Sequence, residues 1–215
     1  MLPKQYDAWY NTQRGKWIGE EEYRLIASML APLPGETLLD VGCGTGYFTR
    51  QFANDAIVRS VTGVDADFNM IRFASEQSNQ DINFMAADAC KLPFEDKSFD
   101  LVVSVTALCF IREEKAALRE MLRVTKRQVV LGLLNRHSIL YFQKGRGGGT
   151  GSYRGAHWHT RKEASFLFDG LTTGQVSCRT IIVLTSSKRW VRQIEARLRR
   201  WLPGCGAFIA VSAMV

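Results

Sequence analysis

The nine residues Leu38 to Gly46, LLDVGCGTG, constrain this chain more than any other stretch. An apolar run ends in Gly-x-Gly-x-Gly and passes into a helical pattern, so a buried strand turns sharply into a helix. Without Cβ atoms at Gly42, Gly44 and Gly46, a ligand can approach the backbone closely at the helix N-terminus. A bare turn has the same outline, so the surrounding acids decide the reading. Asp40 precedes the first glycine, Asp65 ends the next apolar run (VTGVD), and Asp88 follows the third (FMAADA).

Apolar runs and helical patterns alternate from here on. Strands are expected over Thr37–Val41, Ser60–Val64, Ile82–Ala86, Phe99–Val105 and Gln128–Leu134. Helices are expected over Tyr47–Ala53, Asp67–Gln77 and Arg112–Val124. This alternation predicts a parallel sheet covered by helices on both faces, a doubly wound α/β fold. In such a sheet the three acids share the carboxyl edge, where open α/β sheets bind ligands. An earlier helix, Trp17–Leu30, is ended by Pro32 and Pro34. Beyond residue 136 the chain changes character. A glycine-rich loop spans Lys144–Gly155, and Thr160 with Glu163 forms a capping box opening a helix that Gly170 stops. A strand over Gln175–Thr185, a basic helix over Lys188–Leu202 and a strand over Ala207–Val215 complete the chain.

Three carboxylates around a glycine loop suit a ligand with ribose hydroxyls, an exocyclic amine and a positive charge. They suit a pyrophosphate badly. A nicotinamide dinucleotide site reads G-x-G-x-x-G, whereas this loop reads G-x-G-x-G behind Asp40. An acid there repels phosphate and attracts the ammonium and sulfonium of S-adenosylmethionine. On these residues the chain resembles the class I S-adenosylmethionine-dependent methyltransferases of the ubiquinone/menaquinone-methyltransferase-like type. The resemblance runs from about Tyr6 to Leu134, through LLDVGCGTGYFT, VTGVDADFNMI, AADACKLPFEDKSFDLVVS and REMLRV.

That resemblance implies a seven-stranded Rossmann-like sheet in the order 3-2-1-4-5-7-6, the last strand antiparallel. It implies one domain: a helical cap (1–36), a cofactor-binding core (37–135), then cover loops, the basic helix and hairpin strands (136–215). It also implies that Gly42, Gly44 and Gly46 cradle the methionine portion and that Asp65 holds the ribose hydroxyls. Ala66 and Met70 would flank the adenine, Asp88 would accept from its amine with Ala89 alongside, and Ser104 and Val105 would face the methyl donor. Cys43 sits in the loop as a small filler rather than a nucleophile. Two departures are visible. Thr125-Lys126-Arg127-Gln128 replaces a Lys-Pro-Gly-Gly turn, and SVTALCFI lacks a frequent histidine after the fourth strand. No general base can therefore be imported from relatives.

Methyl transfer from a sulfonium is an in-line displacement that depends chiefly on positioning, which supplies on the order of 7–11 kcal/mol. A base is needed only when the nucleophile arrives protonated. His137, after the fifth strand, and Tyr6 are the candidates. Tyr6, Trp9 and Trp17 form either a lid over the cofactor or ordinary helix packing, and the glycine-rich loop with the HWH segment either gates the site or is inert surface. No Asn/Asp-Pro-Pro-aromatic motif follows the fourth strand, which excludes amino-directed nucleic-acid methylation. The carboxylate set of catechol-type enzymes is also missing. A small-molecule acceptor is expected. The alternatives are a lipid or quinone-type acceptor at a membrane surface and, from another class, a non-catalytic S-adenosylmethionine-binding protein.

The net charge of +7 hides a division: residues 1–110 carry 9 basic and 15 acidic side chains, and residues 111–215 carry 19 and 6. Five scattered cysteines without C-x-x-C, no secretory pattern and no apolar run of about 20 residues point to the cytoplasm. His157 and His159 lack a third ligand nearby in sequence, so no metal is expected. In Lys188–Leu202 the apolar residues Trp190, Val191, Ile194, Leu198, Trp201 and Leu202 recur at helical spacing among Lys188, Arg189, Arg192, Arg197, Arg199 and Arg200. This helix either docks on the sheet or lies on anionic lipid. Nucleic acid ranks last as a partner, because basic charge alone is unspecific.

Overall fold

A computed structural model describes residues 2–78, 82–184 and 189–215. The chain opens with α1 (Pro3–Tyr10) and α2 (Gln13–Leu30). The core follows as β1 (Thr37–Val41), α3 (Tyr47–Asn54), β2 (Ser60–Asp65), α4 (Phe68–Glu76), β3 (Asn83–Ala86), β4 (Phe99–Val105), α5 (Glu114–Val124) and β5 (Thr125–Leu134). Then come α6 (Arg161–Phe166), β6 (Val176–Ile181), α7 (Arg189–Trp201) and β7 (Phe208–Met214). The strands form one sheet in the order β3-β2-β1-β4-β5-β7-β6. The first five run parallel, and β7 is antiparallel to both β5 and β6. This is the order the sequence resemblance implied.

The central strands read as continuous apolar runs because both of their faces are covered. Leu38, Leu39, Leu101, Val102, Val103, Val129, Val130, Leu131 and Ile209 are all fully buried. Helix α2 lies on β5 and β7, with Ile26 and Leu30 completely enclosed. The start of β1 is fastened by Asp100, which accepts from the Thr37 amide and hydroxyl, both at 2.9 Å. Among the described residues, no helix is long and apolar enough to cross a membrane.

Several boundaries differ from the sequence expectation, each for a local reason. Helix α2 begins four residues before Trp17, since the Thr12 hydroxyl accepts from the Gly15 amide and caps it there. Strand β5 begins at Thr125, paired with Phe99 on the far side of a register irregularity in β4. Strand β6 stops at Ile181 because Ile182 adopts φ +67°, a left-handed conformation that a β-branched residue takes up only under strain. Of the expected continuation, Ile182 to Leu184 are not strand, and Thr185 lies outside the described residues. The capping box of α6 is present, with Thr160 and Glu163 bonded reciprocally.

The basic helix divides differently from its sequence pattern. Val191 and Glu195 face inward, and Glu195 accepts from the amides of Val183 (2.6 Å) and Leu184 (2.9 Å). Ile194, Trp201 and Leu202 are exposed instead, Trp201 at 81%. An acid that bonds two free amides outcompetes apolar side chains for the inner face. Lys188 and the side chains of Arg189, Trp190, Arg192 and Arg199 lie outside the described residues.

Candidate functional site

The glycine loop closes onto the neighbouring strand. The Gly42 and Cys43 amides donate to Val64 O at 2.7 and 2.9 Å. The Asp65 carboxylate reaches back, accepting from the Gly44 amide (2.8 Å) and from the Asp67 amide (2.9 Å). The loop and the end of β2 are thus one rigid unit. Asp40, at the last turn of β1, is almost wholly buried and accepts from the Thr49 hydroxyl at 2.7 Å. Burial first, and the nearby Asp65 charge to a lesser degree, push its carboxyl up to about 7, against the opposing pull of the Thr49 hydrogen bond. Burial, followed by the charges of Asp40 and Asp65, also raises the Cys43 thiol, which is therefore a neutral filler.

These groups border a cavity of about 400 Å³ at the carboxyl edge of the sheet. Asp40, Gly42, Cys43, Gly44, Asp65, Ala66, Met70, Asp88, Ala89 and Val105 line it, as does Tyr6 from α1. A Cβ on Gly44 would meet no atom within 4 Å, so the loop stands open toward the cavity there. An open glycine backbone flanked by four carboxylates, Asp67 at the cap of α4 being the fourth, fits a ligand with hydroxyls and positive charge, and it does not fit a phosphate.

Three expected site residues lie elsewhere. Gly46 caps α3 at φ +77°, and a Cβ there would press on Phe84 at 2.9 Å and Ala74 at 3.1 Å, so helix packing demands the glycine. Ser104 alternates with Val105 along β4 and points to the opposite face, fully buried, its Oγ without a partner among the described residues. His137 is exposed and lines neither cavity. Asn135 turns the chain aside before it, donating to Gly204 O and Gly206 O while accepting from the His137 amide at 2.9 Å.

A second cavity, about 310 Å³, adjoins the first. The two share Tyr6, Tyr10, Thr106 and Phe110. Its other walls are mostly apolar, among them Trp9, Ile18, Leu134, Leu140, Tyr153 and Ile182. Tyr10 stacks on Tyr47 at 3.8 Å, which holds the shared wall in place. The glycine-rich loop folds back so that Ser152 and Tyr153 reach this chamber. Among the described residues, Glu22 is the one carboxylate on the chamber wall and Arg14 the one permanent cation. Burial pushes the Glu22 carboxyl up to about 8. Sequence reading passed over Glu22 inside the run Glu20-Glu21-Glu22. A signal was available, since Glu22 stands four residues after Ile18 and four before Ile26, in line with the buried residues Ile18, Ile26 and Leu30 of α2.

A family profile described as a methyltransferase domain matches residues 39–132. A demethylmenaquinone methyltransferase of Renibacterium salmoninarum is 39% identical over 103 residues, covering 48% of this chain and 42% of that protein. An O-methyltransferase of Penicillium expansum is 33% identical over 130 residues, covering 56% and 46%. Over its core the chain is similar to methyltransferases. It spans less than half the length of these two relatives. The fold extends further than the sequence likeness. A Thermotoga maritima structure described as an S-adenosylmethionine-dependent methyltransferase, possible histamine N-methyltransferase, superposes with a TM-score of 0.76 at 20% identity, covering 98% of this chain and 94% of that one. At that identity the likeness shows the fold alone. The matched span, residues 39–132, supplies every carboxylate of the first cavity and little of the second.

Proposed function

We propose that this protein transfers a methyl group from S-adenosylmethionine to a hydroxyl of a small, largely apolar molecule. The adjoining cavities carry the reading: a carboxylate-lined cofactor cavity opens through a shared aromatic wall into an apolar chamber with one carboxylate. Gly42 and Gly44 bear the methionine portion and Asp40 its ammonium and sulfonium. Asp65 takes the ribose hydroxyls, Ala66, Met70 and Ala89 flank the adenine, and Asp88 accepts from its amine. Bound there, the cofactor supplies an electrophilic methyl carbon. Tyr6, Tyr10 and Phe110 exclude water from the junction and orient the acceptor toward it. Glu22 takes the proton of the attacking hydroxyl. Its raised carboxyl suits that role near neutral pH better than an ordinary glutamate would. A sensor that only binds the cofactor has no use for the second chamber, which favours an enzyme.

Thermal denaturation tests the cofactor half of this reading. S-adenosylhomocysteine is expected to raise the melting temperature, NAD to leave it unchanged, and Asp65→Ala to remove the response. An equal response to NAD overturns it. Turnover of methyl-labelled cofactor against a panel of phenols and aliphatic alcohols tests the acceptor half, and transfer only to amines or carbon acids overturns that. Free thiols throughout support a cytoplasmic setting. Exposed Trp201 and Leu202 beside Arg197 and Arg200 support a second reading, in which the acceptor is taken from an anionic membrane surface rather than from water, and nucleic acid stays the weakest partner. Cosedimentation with phosphatidylglycerol vesicles, lost in Trp201→Ser with Arg197→Glu, checks it.

A further inference from the structure

The two histidines that lacked a third ligand in sequence acquire one in the fold. Residues 157–159 run beside the end of β5, with the His157 amide on Cys109 O (2.7 Å) and the His159 amide on Leu134 O (2.9 Å). Alternation along this extended segment puts both histidines on one side. Trp158 turns the other way, buried against Tyr141 and Tyr153. Facing the histidines is Glu114, the first residue of α5. His157 Nδ1 lies 2.6 Å from Glu114 Oε1, and His159 Nε2 lies 3.3 Å from the same oxygen. One ligand atom from each of the three residues falls within 4.8 Å of the others.

We propose that Glu114, His157 and His159 form a binding site for a divalent transition ion of the zinc class. Zinc holds histidine nitrogen and carboxylate oxygen at about 2.0–2.2 Å, which sets tetrahedral neighbours about 3.3 Å apart. The spacing already present needs only small side-chain shifts to admit an ion among the three atoms. Two imidazoles and a carboxylate are also a donor set that selects zinc or cobalt over magnesium or calcium. The site is built rather than accidental. The His159 side chain is 1% exposed and the Glu114 side chain 13%, while His157 at 55% leaves a path from solvent. The buried His159 Nδ1 has no partner among the described residues. A carboxylate clamp that existed only to join two histidines does not require that ring to be enclosed.

Occupancy fastens the start of α5 to the 157–159 segment. Cys109, whose carbonyl holds His157, belongs to the 3₁₀ turn Ala107–Phe110, and Phe110 lines both cavities. The ion therefore stiffens the wall between cofactor and acceptor chamber from outside, without touching either. The site stands independently of the proposed acceptor chemistry.

The test uses the whole chain, stripped with chelator and titrated with Co²⁺ and then with Zn²⁺. We expect one Co²⁺ per chain with visible ligand-field absorption, displaced stoichiometrically by Zn²⁺. Binding is expected to fall at least tenfold in His157→Gln and in Glu114→Gln, and to persist in His137→Gln. His159→Gln buries a carboxamide in place of the enclosed imidazole and is read only if its circular dichroism matches the parent. His157→Gln is exposed and keeps the test decisive when His159→Gln does not fold. No saturable Co²⁺ binding, or binding that survives both His157→Gln and Glu114→Gln, overturns the site.

Discussion

The two adjoining cavities differ in how the chain builds them. Every carboxylate of the cofactor cavity comes from a strand end or the turn just after it within residues 39–132, so a run of local motifs at the carboxyl edge suffices. The acceptor chamber draws on α1, α2, the turn after β4, the end of β5, the glycine-rich loop and the junction between β6 and β7. The first is a property of one sheet edge. The second exists only once distant segments have packed, and such segments are free to change without disturbing the first. That separation accounts for sequence likeness that stops at the core while the acceptor varies between relatives.

The largest expected effect lies in the chamber. Glu22→Gln is predicted to lower the methylation rate of a hydroxyl acceptor by roughly 10²–10⁴-fold. S-adenosylhomocysteine binding, measured by calorimetry, is expected to be unchanged. A parallel loss of cofactor affinity would merge the two cavities into one unit and break the comparison. In the parent protein the base form of Glu22 is the active one, so kcat/KM for such an acceptor is expected to rise with pH and level off above about 8. Next is Asp65→Ala, which removes the acceptor for two loop amides and for the ribose. A loss of about 3 kcal/mol, or roughly 100-fold in cofactor affinity, is expected from hydrogen bonds to a charged group.

Stability gives a substrate-free check on Glu22. A raised folded-state carboxyl means that the native protein binds the proton more tightly than the unfolded chain. Its stabilising contribution is complete below about pH 4.5 and is lost as pH rises through about 8. Glu22→Gln cannot ionise, so its melting temperature is expected to gain on the parent between pH 5 and pH 9. A constant difference across that range would show that the carboxyl titrates normally. The smallest effect concerns Thr49→Ala. The lost hydrogen bond drives Asp40 further above about 7, so cofactor affinity is expected to drop a few-fold at pH 7 and to recover by pH 9. A deficit that persists at pH 9 would mean that Thr49 acts through loop shape and not through the charge on Asp40.

Legibility in sequence followed the same division. Asp40, Asp65 and Asp88 were readable because each sits at a fixed offset from a strand end, and strand ends of a parallel sheet converge. Gly46 and Ser104 were misplaced for opposite reasons. A glycine demanded by Phe84 looks the same in sequence as one demanded by a ligand, and the pleat at Ser104 cannot be assigned without its neighbours. Glu22 was hidden by its acidic neighbours, although its position on the apolar stripe of α2 marked it.

By itself the sequence determined the alternation of strands and helices, the glycine loop and the carboxylates around it, because hydrophobic period and turn chemistry act over a few residues, whereas the strand order came only through the family resemblance. Only the tertiary structure decided that Glu22 faces a chamber, that Glu195 rather than Ile194 takes the inner face of α7, and that Glu114 meets His157 and His159 from 43 and 45 residues away. Those pairings depend on how separate elements pack side by side, and no local pattern encodes a neighbour that arrives from elsewhere in the chain.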